Sequence, residues 1–379
     1  MAVDKLHTYL IEPKAPLVIR SGRPFDGQAG ADEARFPPPS TLAGALRTAH
    51  AETAGLPLSS ELAKIPVAGP LAVRLGEVPK LLVPKPADAL YFWSEDRSAV
   101  RLVRAAPRKL ADGEGCDLPS DDLLPVQLTE PITGKPAPGP RWWAFDDLLK
   151  WRSTVLAAPT FEAVSNNGWS PLTEEIRTHV AIKRKSQAAE SGKLFQTAGL
   201  VFDLAARDGQ PFPEGRIGIV GRIAGKINAG VITLGGERRL SSIAAAPADL
   251  WPPMPRNLPA EIRKAGGLSL TLLTPALFNT GWRPPELPGL RLRAAALERW
   301  QAHSGWNLAA DKHLEANRPR AGRKLVPAGA VYWYALLPDI SDEKLAAFWL
   351  APLGDCEQDC RDGFGLVLPQ PWQFAVTSN

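Results

Sequence analysis

Histidine is the side chain best suited to acid–base chemistry near neutral pH, and it occurs five times in this chain of 379 residues. No two of these histidines lie three or four residues apart, the spacing that would place two metal ligands on one helix face. The sequence also lacks the HExxH, GxSxG, P-loop and GxGxxG patterns of common catalytic and nucleotide-binding sites. We therefore expect no catalytic residues, no metal site and no cofactor.

His179 is the histidine with the most informative surroundings. It lies two positions after Arg177 in IRTHVAI, an apolar and β-branched run that predicts a strand. At this spacing both side chains are on one face of the strand. Such a histidine could act as the base of a metal-independent ribonuclease, with a lysine such as Lys183 stabilising charge. The pair could equally hold a phosphate and stack on a base, or the histidine could be structural. The residues alone leave these three readings open.

Positive charge is concentrated around this strand. Residues 177–239 carry eleven lysines and arginines against five acids, whereas residues 112–147 carry eight acids against two bases. This separation predicts one surface for a polyanion and another for a protein partner, although solvated loops would give the same pattern. A glycine turn at 235–236 could form a phosphate nest. The candidate phosphate contacts in this part of the chain are Arg177, His179, Lys183, Arg184, Lys185, Arg238 and Arg239.

A second candidate anion site lies at the start of a predicted helix, in RFPPPSTLAGALRTAH. Three prolines stiffen the entry, and Ser40 is expected to be the N-cap. The exposed amides of a helix start attract anions, and a glycine-rich loop with two arginines precedes it. The residues that we predict to contact an anion here are Arg20, Arg23, Ser40, Thr41 and Arg47.

The secondary-structure elements that must position these residues include both strands and helices. Strand patterns such as LHTYLIEP, RIGIVGRIAG and AGAVYWYALL alternate irregularly with two capped helices, one of which begins after Ser341. The absence of a regular β-α-β-α order predicts an α+β fold. Residues 104–160 are acidic and rich in proline, and we expect an insertion there with little regular structure.

The location of the protein can also be predicted. No apolar run approaches the roughly 18 residues of a membrane span, and MAVDKLHTYL lacks the apolar core of a signal peptide. The three cysteines fit neither a disulfide framework nor a standard zinc pair. We expect a cytoplasmic protein with free thiols and no contact with a membrane.

Eight stretches of the chain together resemble one known family. They are SGRPFD, FPPPSTLAGALRTA, RTHVAIKRKSQAAESGKLF, ITLGGERR, LLTPALFNTGWRP, SGWNL, VPAGAVYWY and GFGLVLP. In this order they resemble the third subunit of the Cmr effector complex of type III-B CRISPR systems, a member of the RAMP superfamily of RNA-binding CRISPR proteins. The resemblance extends over residues 6–369 and is weakest in the acidic insertion.

This resemblance implies a fold of two ferredoxin-like (RRM-like) modules with antiparallel sheets and large insertions. The first module would span residues 1–212, with the insertion at about 104–160 and a thumb hairpin at about 182–195. The second would span 213–379 and end in a glycine-rich loop. The thumb would wedge between guide and target bases.

The resemblance also implies a function. The chain would be a non-catalytic subunit that binds the 5′ tag of the CRISPR RNA and contacts the large polymerase-type subunit, the backbone subunits of the complex and target RNA near the thumb. Two alternatives remain open. One is a metal-independent endoribonuclease that processes CRISPR precursor RNA, as some relatives in the superfamily do. The other is a protein scaffold without direct RNA contact.

Overall fold

The computed structural model describes residues 6–19, 34–153, 156–171, 174–202, 216–307 and 318–374. Its helices are α1 (Pro39–Ala54), α2 (Phe145–Arg152), α3 (Phe161–Asn167), α4 (Leu258–Ala265), α5 (Asp342–Ala346) and α6 (Glu357–Arg361), with 3₁₀ turns at Ser60–Lys64 and Gly236–Arg238. Among the helices of these residues, none has both the length and the apolar character to cross a bilayer.

The strands in the described residues are antiparallel wherever they pair. They are β1 (His7–Pro13), β2 (Leu17–Val18), β3 (Val67–Arg74), β4 (Lys80–Pro84), β5 (Ala89–Trp93), β6 (Val100–Pro107), β7 (Val126–Leu128), β8 (Trp142–Ala144), β9 (Glu175–Ile182), β10 (Ala189–Leu200), β11 (Ile217–Ile223), β12 (Gly230–Thr233), β13 (Leu240–Ala245), β14 (Gly267–Leu272), β15 (Leu290–Ala296), β16 (Gln301–His303), β17 (Trp306–Asn307), β18 (Arg318–Pro319), β19 (Arg323–Leu325), β20 (Val331–Leu336), β21 (Ala351–Pro352) and β22 (Leu366–Pro371). The predicted α+β class with antiparallel sheets is confirmed.

The first sheet has the strand order β12-β13-β1-β11-β3-β4-β8. Helix α1 connects β1 to β3 and packs on one face of the sheet, where Leu42, Leu46 and Ala49 are buried as their spacing predicts. Side chains alternate along β3 and β11, so that Ile219 faces α1 while Leu71 and Val220 face the opposite way. The sheet is therefore buried on both faces.

The second sheet has the order β15-β20-β14-β22-β21. One of its faces packs on α4 and α5, with Leu268, Leu270 and Tyr332 in that core. From the other face, Leu366 and Leu368 join the core that holds Leu71 and Val220 of the first sheet. The two sheets thus share an apolar layer, and this common core fixes their positions relative to each other.

The predicted module boundary between residues 212 and 213 does not follow these sheets. Strands β11, β12 and β13 come after it in the chain, yet all three belong to the first sheet, where β11 lies between β1 and β3. The first unit therefore runs at least to Ala245, and the elements of the second sheet begin with α4.

The prediction that residues 104–160 hold little regular structure is correct for residues 108–125 and 129–141, which contain no helix or strand, but it is wrong for residues 142–152. Strand β8 forms one edge of the first sheet by pairing with β4, and α2 follows it directly. Trp142, Trp143 and Trp151 from this segment are buried. Prolines and acids dominate the composition there, but three tryptophans supply enough apolar surface to fold these elements onto the sheets.

Several contacts lock the two sheets together, and we call them the sheet junction. Arg152 at the end of α2 forms a fully buried ion pair with Asp88, and its guanidinium lies 5.6 Å from the ring centre of Trp333 in β20. Gln370 of β22 donates a hydrogen bond to the Leu148 carbonyl. The segment 104–160 therefore connects the first sheet to the second.

The glycine-rich loop after α6 is part of the same junction. Gly363 has φ +93° and lies against β3, so that a Cβ there would be 2.6 Å from the Gly69 carbonyl oxygen. The hydroxyl of Thr274 donates to the Gly363 carbonyl at 2.7 Å. Only glycine combines this left-handed conformation with such a close approach. The loop that the sequence predicts near the C-terminus thus fits directly onto the first sheet.

Candidate nucleic-acid interface

The hairpin predicted at about 182–195 is the outer part of a longer hairpin formed by β9 and β10. Its base is fixed by pairing of Gly199 and Leu200 with Val18 and Leu17 of β2, and Leu17 and Leu200 are buried. From this base the strands extend into solvent, and the pairing becomes irregular between Ala189 and Leu194. The hairpin therefore projects from the molecule on an anchored stem.

The two faces of the hairpin differ in chemistry. In an antiparallel pair, residues directly opposite each other point to the same face. The register of β9 and β10 therefore places Arg177 and His179 on one face with Thr197 and Phe195, as the spacing in the sequence predicts. We call this the cationic face. The opposite face exposes four large apolar side chains, Ile176, Val180, Ile182 and Leu194.

His179 is held firmly on the cationic face. Its ring stacks on Phe195 with 5.0 Å between ring centres and 15° between planes, and its Nε2 lies 2.9 Å from the Thr197 hydroxyl oxygen. The same Nε2 lies 3.7 Å from a carboxylate oxygen of Glu237. This arrangement fixes an aromatic platform beside the cation at Arg177.

The turn that carries Glu237 contains Gly235 and Gly236, the two glycines at which the sequence predicts a phosphate nest. Gly235 has φ +77° and sits so close to β2 that a Cβ there would be 2.9 Å from the Val18 carbonyl oxygen. The Glu237 carboxylate accepts a hydrogen bond at 2.7 Å from Arg239, while Arg238 is exposed. The turn thus adds two arginines and one acid to the base of the hairpin beside His179.

The tip of the hairpin carries the densest positive charge. Lys183, Arg184 and Lys185 are consecutive and exposed, and within the described part of the chain no carboxylate pairs with them. Farther down the hairpin, Lys193 pairs with Glu190 at 2.7 Å. The tip is therefore free to attract an anion, whereas cations lower on the hairpin already have acidic neighbours.

The helix start differs from its prediction. Helix α1 begins at Pro39 with Pro38 as N-cap, and Ser40 does not cap it. Pro39 has no amide proton, and the amides of Thr41 and Leu42 both donate to the Pro38 carbonyl. The prediction of Ser40 as N-cap is therefore wrong, because the third proline, Pro39, is already the first residue of the helix, which starts two residues earlier than predicted. The first turn also offers fewer amides to an anion than the sequence suggests.

The side chain of Ser40 instead faces the second half of the chain. Its hydroxyl lies 3.5 Å from Nε2 of His303 on β16, and Arg35 donates to the neighbouring Ala302 carbonyl at 2.9 Å. Burial and nearby guanidinium groups, chiefly that of Arg323, lower the pKa of His303 to about 4. Arg323 itself forms a bidentate pair with Asp359 at 2.8 Å. We call this set of residues the helix-start cluster.

Arg47 lies inside the protein. Its Nη1 donates to Asp362 at 2.6 Å, and its other nitrogens donate to the carbonyls of Ile65 and Arg361. Its side chain is about nine-tenths buried. The predicted contact between Arg47 and RNA is contradicted by this position, because all three nitrogens of its guanidinium group donate to acceptors inside the fold.

The structure therefore divides the predicted site residues into groups. His179, Arg177, Arg238 and Arg239 gather at the hairpin, with Lys183, Arg184 and Lys185 at its tip, whereas Ser40 and Thr41 lie at the helix-start cluster. Arg20 and Arg23 lie outside the described residues. In the described ranges, no group of three His, Cys, Asp or Glu side chains is arranged to hold a metal ion.

Sequence reasoning missed several neighbours of these residues. Phe195 and Glu237 contact His179, and Arg35 and His303 lie near Ser40. Strand alternation applied to both arms of the hairpin could have placed Phe195 opposite His179. Nothing in the local sequence indicates the contacts of Arg35 or His303, because their partners are more than 260 residues away.

Comparison with known proteins gives a family match. The family model described as "CRISPR-associated protein (Cas_Cmr3)" matches residues 9–372. Similar solved structures include chains from two cryo-EM structures of the Type III-B Cmr-beta bound to cognate target RNA, one of them with AMPPnP in state 1. Each has a TM-score of 0.45 and coverage of 86% of both chains, with identities of 13% and 14%. No curated protein matches the chain.

Proposed function

Because the chain belongs to the Cas_Cmr3 family of CRISPR-associated proteins, we propose that it is a non-catalytic RNA-binding subunit of a type III-B Cmr complex. It binds the 5′ tag of the CRISPR RNA and bridges to the large polymerase-type subunit. The observation that carries this proposal is the projecting hairpin, with an unpaired basic tip and a face that combines Arg177 with the stacked His179 and Phe195.

The chemistry of the hairpin suits single-stranded RNA. Such RNA is held by cations that follow its phosphates and by flat side chains on which exposed bases stack. Lys183, Arg184 and Lys185 supply the first, and the His179–Phe195 pair supplies a ring surface. The apolar face with Ile182 and Leu194 is suited to contact a base that has left its stack. The hairpin therefore acts as the thumb that meets target RNA near the tag.

The strand order of both sheets supports two ferredoxin-like modules. A ferredoxin-like βαββαβ unit has its strands in the order 4-1-3-2. The order β13-β1-β11-β3 fits this when β1 is taken as the first strand, and β22-β14-β20-β15 fits it when β14 is the first. In the first sheet, helix α1 lies between the first and second strands of the unit. In the second sheet, helix α5 lies between the third and fourth strands.

The environment of His179 favours binding over catalysis. Its ring is stacked on Phe195, and its Nε2 is shared between the Thr197 hydroxyl and the Glu237 carboxylate. A ribonuclease base must present a free ring nitrogen to the ribose hydroxyl of the substrate, and Nε2 already has partners here. The ring is thus placed for stacking, and we assign the chain no reaction of its own.

Protein partners in the complex meet other surfaces. Acidic side chains at residues 339–362 include the exposed Asp342, Glu343 and Glu357. Asp342 and Glu357 pair with Arg263 and Arg361 of the same chain. We propose that these acids meet basic surfaces of the large polymerase-type subunit or of backbone subunits. The helix-start cluster, with Arg35 and Arg323, is proposed to lie beside the RNA tag. We place the assembled complex in the cytoplasm.

A salt titration of RNA binding tests this proposal. In one variant Lys183, Arg184 and Lys185 are all changed to Gln, and in a control the exposed Lys64, Lys264 and Lys344 are changed to Gln. If the tip neutralises three phosphates, the slope of log affinity against log salt becomes shallower by about 2, and affinity at low salt falls roughly tenfold. Equal slopes for the two variants would contradict a phosphate-binding hairpin, and no measurable RNA binding by the unmodified chain at low salt would favour the scaffold alternative.

A further inference from the structure

An acidic side chain lies in the middle of the cationic face. Glu237 accepts a hydrogen bond from Arg239 at 2.7 Å, and another oxygen of the same carboxylate lies 3.7 Å from Nε2 of His179. Arg177, on the same face, pairs with Glu175. A carboxylate here reduces the attraction of the surface for RNA, so its position at the centre of a proposed RNA site requires an explanation.

The contacts of Glu237 resemble those of a bound phosphate. A phosphate oxygen and a carboxylate oxygen carry similar charge and accept the same hydrogen bonds from guanidinium and imidazole groups. The side chain of Arg239 is only 11% exposed, whereas Glu237 is 27% and His179 is 32% exposed. The Glu237 carboxylate therefore occupies the place from which another anion would contact the Arg239 guanidinium. Nε of Arg239 is buried without an acceptor among the described residues.

The backbone holds Glu237 in this position through an uncommon conformation. Glu237 has φ +57° and Arg238 has φ +52°, both in the left-handed region that few residues other than glycine adopt. The turn is closed by a hydrogen bond of 2.9 Å from the Leu234 amide to the Arg239 carbonyl. Such conformations persist where surrounding contacts impose them, and they are concentrated at binding sites and switch regions.

We propose that Glu237 occupies the position of an RNA phosphate between Arg239 and His179, and that a bound strand displaces it. The inference rests on the proposed function, because it assigns a regulatory residue to the same surface. Displacement exchanges the Glu237 carboxylate for a phosphate. An RNA strand therefore gains binding free energy from Arg239 only when one of its phosphates reaches this position. Glu237 therefore lowers the affinity for RNA that binds elsewhere on the surface and increases discrimination by position.

The test removes the charge of Glu237 and keeps its shape. The full chain carrying Glu237→Gln is titrated with a fluorescently labelled, mixed-sequence single-stranded RNA. We expect binding to be roughly two- to fivefold tighter at low salt, with the difference vanishing as salt screens the site. The control is Glu130→Gln, which removes the same charge from an exposed 2.7 Å pair with Arg101 on another sheet and should leave binding unchanged.

Two further variants keep the outcome decisive. Glu237→Gly removes the carboxylate and suits the left-handed backbone, so it should also bind RNA more tightly even if the Gln variant disturbs the turn. In the Arg239→Gln background, Glu237→Gln should give no gain, because the displaced contact is already absent. Equal or weaker binding by both Glu237 variants would overturn the displacement proposal.

The Lys183/Arg184/Lys185 variant separates this failure from that of the proposed function. If that variant loses affinity while both Glu237 variants bind no more tightly than the wild type, the RNA interface stands and Glu237 only supports the turn. If the tip variant and the Glu237 variants all bind like the wild type, the cationic face is not an RNA interface and both proposals fall.

Discussion

The sheet junction and the β9–β10 hairpin both depend on arginines paired with carboxylates, but they use them differently. At the junction, Arg152 and Asp88 have no exposed side-chain surface, and the three guanidinium nitrogens of Arg47 donate to Asp362 and to carbonyls of the fold. On the hairpin, Arg177 and Glu175 are 48% and 35% exposed. The same pair of residue types is therefore structural in one region and accessible in the other.

The difference shows that burial decides what an arginine does here. Removing one partner of a buried ion pair leaves an uncompensated charge and costs about 3–5 kcal/mol, whereas an exposed pair contributes about 0–1 kcal/mol. An exposed arginine can therefore exchange its carboxylate for a phosphate with little loss of fold stability. This makes the hairpin suitable for a ligand and the junction suitable for holding the two sheets in place.

The largest expected effect comes from breaking the buried pair. Arg152→Met should lower the free energy of unfolding by about 3–5 kcal/mol, because Asp88 remains buried without its partner. Urea unfolding followed by tryptophan fluorescence measures this loss. Arg177→Met is the matched control on the hairpin and should change stability by less than about 1 kcal/mol. Similar losses for the two variants would contradict the division between the regions.

A pH-dependent loss of stability is expected from His303. Burial and the neighbouring guanidinium groups hold its pKa in the folded chain at about 4, below the ordinary histidine value of 6.5. The unfolded chain therefore binds this proton more readily, so the stabilisation is present above about pH 6.5 and is lost as the pH falls towards about 4, by up to about 3 kcal/mol. Denaturant unfolding over this range measures it. The His303→Asn variant should show a flatter profile, and parallel profiles would rule out this contribution.

Two glycines sharpen the comparison between the regions. Gly363→Ala should cost more than about 2 kcal/mol, because the left-handed backbone and the contact with the Gly69 carbonyl both oppose a side chain. Gly192, in the irregular part of the hairpin, has φ +77° and open space around it. Gly192→Ala should therefore cost only the conformational part, about 1–2 kcal/mol. Thermal unfolding of both variants tests the order, which would be wrong if the Gly192 variant were the less stable.

The smallest effect on stability is expected at the hairpin tip. Replacing residues 183–188 with a short Gly-Ser turn should change the free energy of unfolding by less than about 0.5 kcal/mol, because exposed positions without buried contacts contribute little. In the assembled complex, the same change should alter the chemical reactivity of target nucleotides beside the tag. Unchanged reactivity there would show that the hairpin is not the thumb.

Much of the fold follows from local sequence. The alternating pattern of β11 and the aromatic run of β20 predict strands, and the hydroxyl of Ser341 caps α5 through the Lys344 amide as expected. The segment 104–160 escaped prediction because proline and acids dominate its composition. The role of its tryptophans is visible only in the structure, where Trp143 and Trp151 pack into the core between the two sheets. Sheet membership of β11 could not be predicted either, because it depends on pairing with β1 far away in the chain.

The candidate site was predictable to a different extent. Strand alternation correctly placed Arg177 and His179 on one face, and the hairpin that the family resemblance implies at about 182–195 is present. Charge alone could not separate Arg47 from Arg177, since burial depends on partners such as Asp362, 315 residues away. Glu237 was overlooked because an acid among bases has no motif, and its contact with His179 arises only from the packing of the turn against β2.

The central position of β11 in the first sheet determines when that sheet can fold during synthesis of the chain. Strands β1, β3 and β4 leave the ribosome first, but β11 must lie between β1 and β3 and emerges only after the whole insertion and the hairpin. Until then the facing edges of β1 and β3 have unpaired amides and carbonyls, which can join strands of other chains. Pairing across so long a separation is intrinsically slow. A nascent chain that ends before Ile217 thus holds both neighbours of a missing strand, and completion of the first sheet must wait until more than half of the polypeptide has been made.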